Sequence, residues 1–351
     1  MPSKLCPHIQ ILDTATLDAI ARVQPPMVKT MDLDRHSLQA IRSAAPHTLI
    51  VARKYVDSQD YSVPLAAGTA FAEQYAGVLD LVNVVEVYNE AIGNSTGPEQ
   101  RALFDTFQGV FAYRIWELNN SVRVGLFCLP AGNFGFAGEP TLTDFPKSLA
   151  LPKNKVFMCF HEYSWYTWDW EAEARCLRYR IQMAGLSGYQ VLITECGLTH
   201  AVISSYPDVG WRTGIPRSTF VDGAVWYDSE LQKDDYVVGA ALFNCGPSYG
   251  WDTFECTAEW EEAALRSQPA QPKPGETLEE FIRRKSWDQV GVDYNPEAAL
   301  ARYATRYGLG KPETQEFDLV YSGNTYRIQA FVLGIVFCVV GDWDNIRHIA
   351  W

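Results

Sequence analysis

Each of two glutamates lies at the end of a short apolar segment of the chain. Glu90 follows residues 81–88 and Glu195 follows residues 190–194. A pair of carboxylates can cleave a glycosidic bond, because one carboxylic acid protonates the departing oxygen while the other carboxylate meets the positively charged sugar carbon. Either glutamate alone could equally be a helix-start carboxylate favoured by the helix dipole. The chemistry therefore depends on whether the fold brings the two side chains together.

Apolar segments recur along the chain, and helix-like stretches separate most of them. Eight predicted strands cover residues 8–12, 27–31, 48–56, 81–88, 122–129, 155–160, 190–194 and 236–243. Near-continuous apolar runs are typical of parallel strands that are buried on both faces. Eight of them alternating with helices predict an α/β fold, a (β/α)8 TIM barrel. A doubly wound sheet is the alternative, but no GxGxxG turn or P-loop follows any run.

The active site of such a barrel lies at the carboxyl ends of its strands, where both glutamates are expected. A barrel in which Asn-Glu closes strand four and Glu closes strand seven resembles glycoside hydrolase clan A. The resemblance spans residues 7–255. It implies that Glu90 is the acid/base, that Asn89 binds the sugar 2-hydroxyl and that Glu195 is the nucleophile of a retaining mechanism. It also implies an oligo- or polysaccharide substrate and no metal or organic cofactor.

Polar and aromatic side chains after the sixth run are candidates for substrate binding. The clan often places an aromatic residue or a histidine there to hydrogen-bond the nucleophile, and His161 and Tyr163 both fit this position. Trp165, with Trp168 and Trp170, could stack on a sugar or simply cover the rim of the barrel. The rival carboxylate Glu162 should point away from the face that carries His161.

Further candidates come from the last strand and from the early strands. The clan commonly has an aromatic residue after strand eight, where this chain reads Phe243-Asn244, so Trp251 is expected to serve from the following loop together with Asn244. Lys29 or Arg53 could supply a basic group, although each could instead pair with a structural carboxylate. Glu86 is a second polar residue expected inside the barrel, where it could tune Glu90.

Composition narrows the classes of function. The net charge of −13 argues against a nucleic-acid partner, whose phosphates require a basic surface. The longest apolar run, residues 330–340, is about half a membrane span, and no signal-peptide pattern opens the chain, so a soluble protein is expected. The eight cysteines lack metal-like spacing, and reduced thiols are expected, although Cys245 and Cys256 could pair. We expect a monomer, and the cellular location stays open.

The composition changes at residues 267–275, where three prolines predict a linker. The sequence therefore predicts a catalytic barrel over residues 1–266 and a small α+β accessory module over residues 276–351. Helices at 277–285 and 296–307 and strands at 316–320 and 326–340 are expected in the module. Segments 307–312, 329–331 and 334–336 resemble a single LGFP-type repeat of bacterial cell-wall proteins. That resemblance implies glycan binding, and a structural cap is the alternative.

The combined features predict a retaining glycosidase that acts on a β-linked glycan or glycoside. The alternative from another class is a non-catalytic barrel that binds carbohydrate or cell wall. The presence of both Glu90 and Glu195 favours the enzyme, because a hydrolase that has become a binding protein typically lacks one of the two carboxylates.

Overall fold

The computed structural model describes residues 2–165, 176–200, 209–268, 277–286, 295 and 297–351. Contacts within the chain divide it into two compact units, Pro2–Ser267 and Gln268–Trp351. Most of the predicted linker and the residues Trp168 and Trp170 lie outside the described residues.

The first unit is a closed barrel of eight parallel strands in the order in which they occur along the chain. The strands are β1 (Leu5–Ile9), β2 (Met27–Thr30), β3 (Leu49–Ala52), β4 (Val84–Glu86), β5 (Arg123–Leu129), β6 (Val156–Trp165), β7 (Gln190–Thr199) and β8 (Val237–Cys245). Pairing of β1 with both β2 and β8 closes the barrel. The predicted (β/α)8 fold is confirmed, and so is the strand count that puts Glu90 after β4 and Glu195 in β7.

Several predicted strand boundaries are wrong. Strand β1 begins three residues before the predicted start, since Leu5 and Cys6 are buried and pair with β8. Strands β6 and β7 each continue five residues beyond the predicted ends. The apolar pattern stops at His161 and Thr194, but the ladder between the two strands continues through Trp165 and Thr199. Buried polar residues at the barrel mouth therefore concealed the true strand lengths.

Helices follow the strands and cover the barrel. Among the described residues they are α1 (Thr14–Val23), α2 (Arg35–Ala44), α3 (Pro64–Glu73), α4 (Pro98–Leu118), α5 (Pro146–Leu149), α6 (Tyr179–Gln182), α7 (Arg217–Leu231) and α8 (Thr257–Ser267). Side chains of Asp13 and Asp34 accept hydrogen bonds from the free N–H groups that open α1 and α2. Within residues 176–184, the described part of the connection between β6 and β7, only α6 is helical. None of the described helices is both long and apolar enough to cross a membrane.

The second unit is an α+β module, as predicted. It contains α9 (Leu278–Ser286), α10 (Ala299–Arg306) and the strands β9 (Phe317–Tyr321), β10 (Asn324–Phe331), β11 (Gly334–Val339) and β12 (Arg347–Ile349). These strands form one antiparallel sheet in the order β12-β11-β10-β9. The single strand predicted over residues 326–340 is wrong: it is the hairpin of β10 and β11, with exposed Val332 and Leu333 at its turn. Their apolar character hid the turn from a hydropathy pattern.

The segments that resemble an LGFP-type repeat lie together in this module. Gly308 and Gly310 have φ angles of 66° and 86°, which favour glycine. Between them, Leu309 is buried in one apolar cluster with Phe331 and Val336. The turn at residues 308–310 therefore packs against β10 and β11 through Leu309. Both a structural role and a binding role would require this packing.

Candidate active site

A cavity of about 1200 Å³ opens at the carboxyl ends of the barrel strands. Six of the predicted site residues line it: Arg53, Asn89, Glu90, Tyr163, Glu195 and Trp251. The other four predicted residues do not line the cavity. Lys29, His161 and Asn244 are buried, and Trp165 at the end of β6 is 38% exposed.

Glu195 lies in the inner part of β7 and is surrounded by hydrogen-bond donors. The Arg53 guanidinium donates to its Oε1 at 2.6 Å, and the Lys29 ammonium donates to the same oxygen at 3.3 Å. The Tyr163 hydroxyl donates to Oε2 at 3.0 Å. Both carboxylate oxygens are therefore held in place, and only 7% of the residue is exposed.

The charges around Glu195 favour its ionised form. Burial acts to raise the pKa of the Glu195 carboxyl, but electrostatic interactions with His161, Lys29 and Arg53 outweigh burial and hold that pKa well below its usual range. Burial, followed by the nearby charge of Glu195, raises the pKa of Tyr163 well above its usual range. Tyr163 therefore keeps its proton and acts as a donor to a carboxylate that is charged at neutral pH.

Glu90 lies four residues beyond the end of β4 and is less enclosed than Glu195. Its backbone has a φ of 51°, and its N–H donates to the Cys128 carbonyl at 3.0 Å. Its Oε1 lies 2.7 Å from His161 Nδ1, and 39% of its side chain is exposed. His161 Nδ1 is also 3.7 Å from Glu195 Oε2. One oxygen of Glu90 and one oxygen of Glu195 lie within 4.8 Å of each other.

Lys29 connects Glu195 to a second buried carboxylate. Its ammonium lies 3.0 Å from Glu86 Oε2, and neither of these two side chains is exposed. Glu86 therefore pairs with Lys29, and its expected influence on Glu90 stays a prediction. Because Lys29 is shared between Glu86 and Glu195, it links the interior of the barrel to the floor of the cavity.

The two asparagines predicted to bind substrate occupy different environments. Asn89 lines the cavity, and no group among the described residues donates to its buried Oδ1. Asn244 follows a cis peptide bond after Phe243, and its side-chain amide is buried without a hydrogen-bond partner in the described part of the chain. Only Asn89 is placed to touch a molecule in the cavity directly.

Glu162, the rival carboxylate, faces away from the cavity. It accepts hydrogen bonds from the backbone N–H groups of Leu177 at 2.9 Å and Tyr179 at 3.0 Å, and from the Tyr227 hydroxyl. Burial raises the pKa of Glu162 to about 7, with the Tyr227 hydrogen bond acting in the opposite direction. Its contacts tie the segment after β6 to α7, which is a structural role.

Sequence reasoning missed two groups of side chains at this site. His8 Nε2 lies 3.7 Å from Glu195 Oε1, and burial, followed by the Lys29 charge, holds the pKa of His8 well below its usual range. The true end of β1 at Ile9 would have placed His8 at the barrel mouth. Phe243, Tyr55 and Tyr249 also line the cavity. Phe243 stood at the expected aromatic position after strand eight, but the two tyrosines lie in loops without a pattern.

Two groups of side chains have the spacing of potential metal ligands among the described residues. One group is Glu86 with Cys128 and Cys159, and the other is Glu90 with His161 and Glu195. The Lys29 ammonium lies 3.0 Å from Glu86 and 3.3 Å from Glu195, so a carboxylate in each group is already paired with a cation. A divalent ion would be repelled by that ammonium, and we assign a metal to neither group.

No model of a known protein family matches the chain, and no curated protein matches it. Solved structures with a similar arrangement include a glucosidase from Croceicoccus marinus, with 12% identity over 97% of this chain and 76% of that one and a TM-score of 0.46. A family 39 glycoside hydrolase from Bacteroides cellulosilyticus has 12% identity over 96% of this chain and 70% of that one, with a TM-score of 0.46. A family 128 endo-β-1,3-glucanase from Pseudomonas viridiflava has 12% identity over 76% of this chain and 98% of that one, with a TM-score of 0.45. Similarity at this level does not establish a shared function.

Proposed function

We propose that the chain is a retaining glycoside hydrolase that cleaves a β-linked glycan or glycoside by double displacement. The observation that carries the proposal is the closeness of Glu90 and Glu195, since one carboxylate oxygen of each lies within 4.8 Å of the other. Retaining glycosidases hold their carboxyl groups about 5–5.5 Å apart, whereas inverting ones leave about 6.5–9.5 Å for a water molecule. The short separation favours direct attack on the sugar by a carboxylate.

Glu195 has the environment of the nucleophile. The nearby positive charges keep it ionised, and donors on both oxygens fix its orientation. In the first step, a Glu195 oxygen bonds to the anomeric carbon as the glycosidic C–O bond breaks. The negative charge of the carboxylate disappears as the ester forms, and Tyr163, Arg53 and Lys29 then face a neutral group. Their hydrogen bonds favour return to the carboxylate when water attacks in the second step.

Glu90 has the environment of the acid/base. Its exposed side chain can reach a leaving group in the cavity, and in the first step its carboxylic acid gives a proton to the departing oxygen. Glu90 then removes a proton from the water that attacks the glycosyl-enzyme.

Asn89 completes the proposed site. The clan A resemblance assigns it to the sugar 2-hydroxyl, and its Oδ1 has no donor among the described residues. A hydroxyl of the substrate would supply that donor. A buried acceptor without a partner costs free energy. The hydrogen bond from a substrate hydroxyl to Asn89 Oδ1 would therefore contribute to binding.

The test is hydrolysis of a panel of aryl β-glycosides and β-linked polysaccharides by the wild type, Glu90→Gln and Glu195→Gln. We expect Glu195→Gln to lose about 10⁴-fold or more in kcat, as when a covalent nucleophile is removed. A 2-deoxy-2-fluoro glycoside with a good leaving group should trap the intermediate, and mass spectrometry of peptides should locate the added sugar on Glu195.

Glu99→Gln is the matched control, because Glu99 is an exposed glutamate in the first turn of α4. It should hydrolyse the same substrates at the wild-type rate. Full activity in both Glu90→Gln and Glu195→Gln would refute the assignment. An inverted product, followed by NMR of the anomeric proton, would refute the retaining mechanism.

A further inference from the structure

The cavity is larger than one sugar residue requires. Its volume of about 1200 Å³ exceeds the roughly 300–1000 Å³ that is usual for sites that enclose a drug-sized ligand. Besides the residues assigned above to cleavage, its lining includes segments after β1, β2, β3 and β8. Cleavage chemistry at Glu90 and Glu195 accounts for only part of this surface.

A series of aromatic rings leads away from Glu195 along one wall. The His8 ring, with Nε2 3.7 Å from Glu195, lies with its centroid 4.9 Å from that of Phe243. The Phe243 centroid lies in turn 5.3 Å from that of Trp251. His8 is fully buried, Phe243 is 6% exposed, and Tyr249, two residues before Trp251, is 74% exposed. Phe243, Trp251 and Tyr249 all line the cavity, so its aromatic surface extends from a buried ring beside His8 to an exposed ring.

A second exposed ring lines the cavity from the loop after β3. Tyr55 is 61% exposed and lies two residues after Arg53, which donates to Glu195. In the described part of the chain, the side chains of Tyr55 and Tyr249 make neither hydrogen bonds nor ring contacts. Large exposed aromatic surfaces are typical of binding sites when they lie together in a concave surface.

Hydrogen bonds hold the backbone on which both rings lie. The Tyr249 N–H donates to Gln10 Oε1 at 3.2 Å, and the Trp251 N–H donates to the Ser248 hydroxyl at 3.1 Å. Next to Tyr55, the Lys54 N–H donates to the Tyr75 hydroxyl at 2.8 Å, which itself donates to the Glu86 carbonyl at 2.9 Å. Anchored backbones present exposed rings at low entropic cost to a ligand.

We infer that the cavity binds a chain of several β-linked sugar units, and that Tyr55 and Tyr249 stack on units other than the one between Glu90 and Glu195. The inference rests on the proposed function and specifies its substrate as an oligo- or polysaccharide rather than a simple glycoside. A pyranose ring offers an apolar C–H face and a polar edge. A tyrosine ring at a rim can cover that face while the sugar hydroxyls stay in water.

The experiment measures kcat/KM for β-1,3-gluco-, β-1,4-gluco- and β-1,4-xylo-oligosaccharides of two to six units. In the series that is cleaved, we expect a rise in kcat/KM of about 10-fold or more from two units to six, since the longer chain gains a stacking contact with each of the two tyrosine rings. Tyr55→Ala and Tyr249→Ala should each bring the six-unit to two-unit ratio towards 1. Tyr55→Phe and Tyr249→Phe should retain the ratio, because the ring provides the stacking.

Tyr113→Ala is the matched control, since Tyr113 is 59% exposed on α4 and does not line the cavity. It should leave the ratio unchanged. Cleavage of an aryl glycoside with no dependence on chain length would overturn the inference and leave the proposed function intact. If nothing is cleaved, the proposed function fails, and calorimetric titration with the three six-unit sugars decides the inference. Binding weakened by the tyrosine-to-alanine variants would support it, and no binding would overturn it.

Discussion

The mouths of β7 and β4 each present a glutamate to the cavity, but they hold it differently. Glu195 is 7% exposed and receives hydrogen bonds from Arg53, Lys29 and Tyr163. The Glu90 side chain is 39% exposed, and its close contact among the described residues is with His161. A nucleophile must stay charged and aligned, whereas an acid/base must exchange protons with substrate and water. The two surroundings suit these two tasks, and this contrast between the glutamates can be tested.

The largest difference should appear when each carboxyl group is deleted. Glu195→Ala should reduce kcat by about 10⁴-fold or more for every substrate, because no other group forms the covalent bond. Glu90→Ala should slow the hydrolysis of substrates with poor leaving groups by about 10³-fold. Hydrolysis of dinitrophenyl glycosides should slow far less, since a dinitrophenyl leaving group departs without a proton. Azide should restore turnover in both, giving an α-glycosyl azide with Glu195→Ala and a β-glycosyl azide with Glu90→Ala. The opposite pattern would reverse the two roles.

The part of this contrast that sequence could predict is the position of the glutamates. Apolar runs gave the strand count, and that count placed Glu90 and Glu195 at one end of the barrel. His161 and Tyr163 could not be separated, because residues i and i+2 of a strand share one face. In the structure His161 contacts Glu90, and Tyr163 donates to Glu195.

The contacts of Glu195 could not be predicted from the sequence for a different reason. Lys29 and Arg53 are 166 and 142 residues away from it along the chain. Strands β2 and β3 lie across from β7 only because the barrel closes. Which of their side chains contact Glu195 depends on the register of the strands. Sequence therefore identified basic candidates but left open whether they bind substrate or position the nucleophile.

Removal of Lys29 should affect stability more than removal of an exposed cation. Lys29→Met leaves Glu86 charged and unpaired in a place with no exposed surface, at a cost of about 3–5 kcal/mol in the free energy of unfolding. Urea denaturation measures this loss. The double variant Lys29→Met/Glu86→Gln should regain most of it, because the buried charge is then absent. Equal destabilisation of the single and double variants would mean that the pair contributes only through packing.

Arg53→Met should change the pH dependence of catalysis. Positive charges hold the pKa of Glu195 well below its usual range, so removal of the Arg53 charge lets that pKa rise. The acid limb of kcat/KM should move to higher pH, with a fall of about 10–100-fold in kcat at neutral pH because a charged hydrogen bond is lost.

The free energy of unfolding should depend on pH in the same direction as the activity. A carboxyl whose pKa is depressed in the folded state stabilises the fold above its usual pKa and loses that contribution as pH falls through the depressed value. In Arg53→Met the pKa of Glu195 in the folded state is less depressed, so Glu195 should stabilise the fold over a narrower range of pH. Arg35→Met, which breaks an exposed ion pair with Asp80, is the control and should move neither the acid limb nor the activity. An unchanged acid limb in Arg53→Met would show that Glu195 does not limit activity at low pH.

Tyr163→Phe should have the smallest effect, because it removes one of several donors and keeps the ring. The ring centroid lies 6.3 Å from that of Phe243, and this packing is retained in the variant. Arg53 and Lys29 still donate to the carboxylate, so the loss should lie near the lower limit for a hydrogen bond to a charged group, about 1.5 kcal/mol. We therefore expect kcat to fall by roughly 10-fold with little change in KM. Tyr227→Phe removes a similar buried bond, from a hydroxyl to the structural carboxylate Glu162. It should lower the unfolding midpoint and spare kcat, because Glu162 faces away from the cavity. If the two variants lower kcat equally, then Tyr163 acts through the stability of the fold and the mouth of β7 is not specialised for its glutamate.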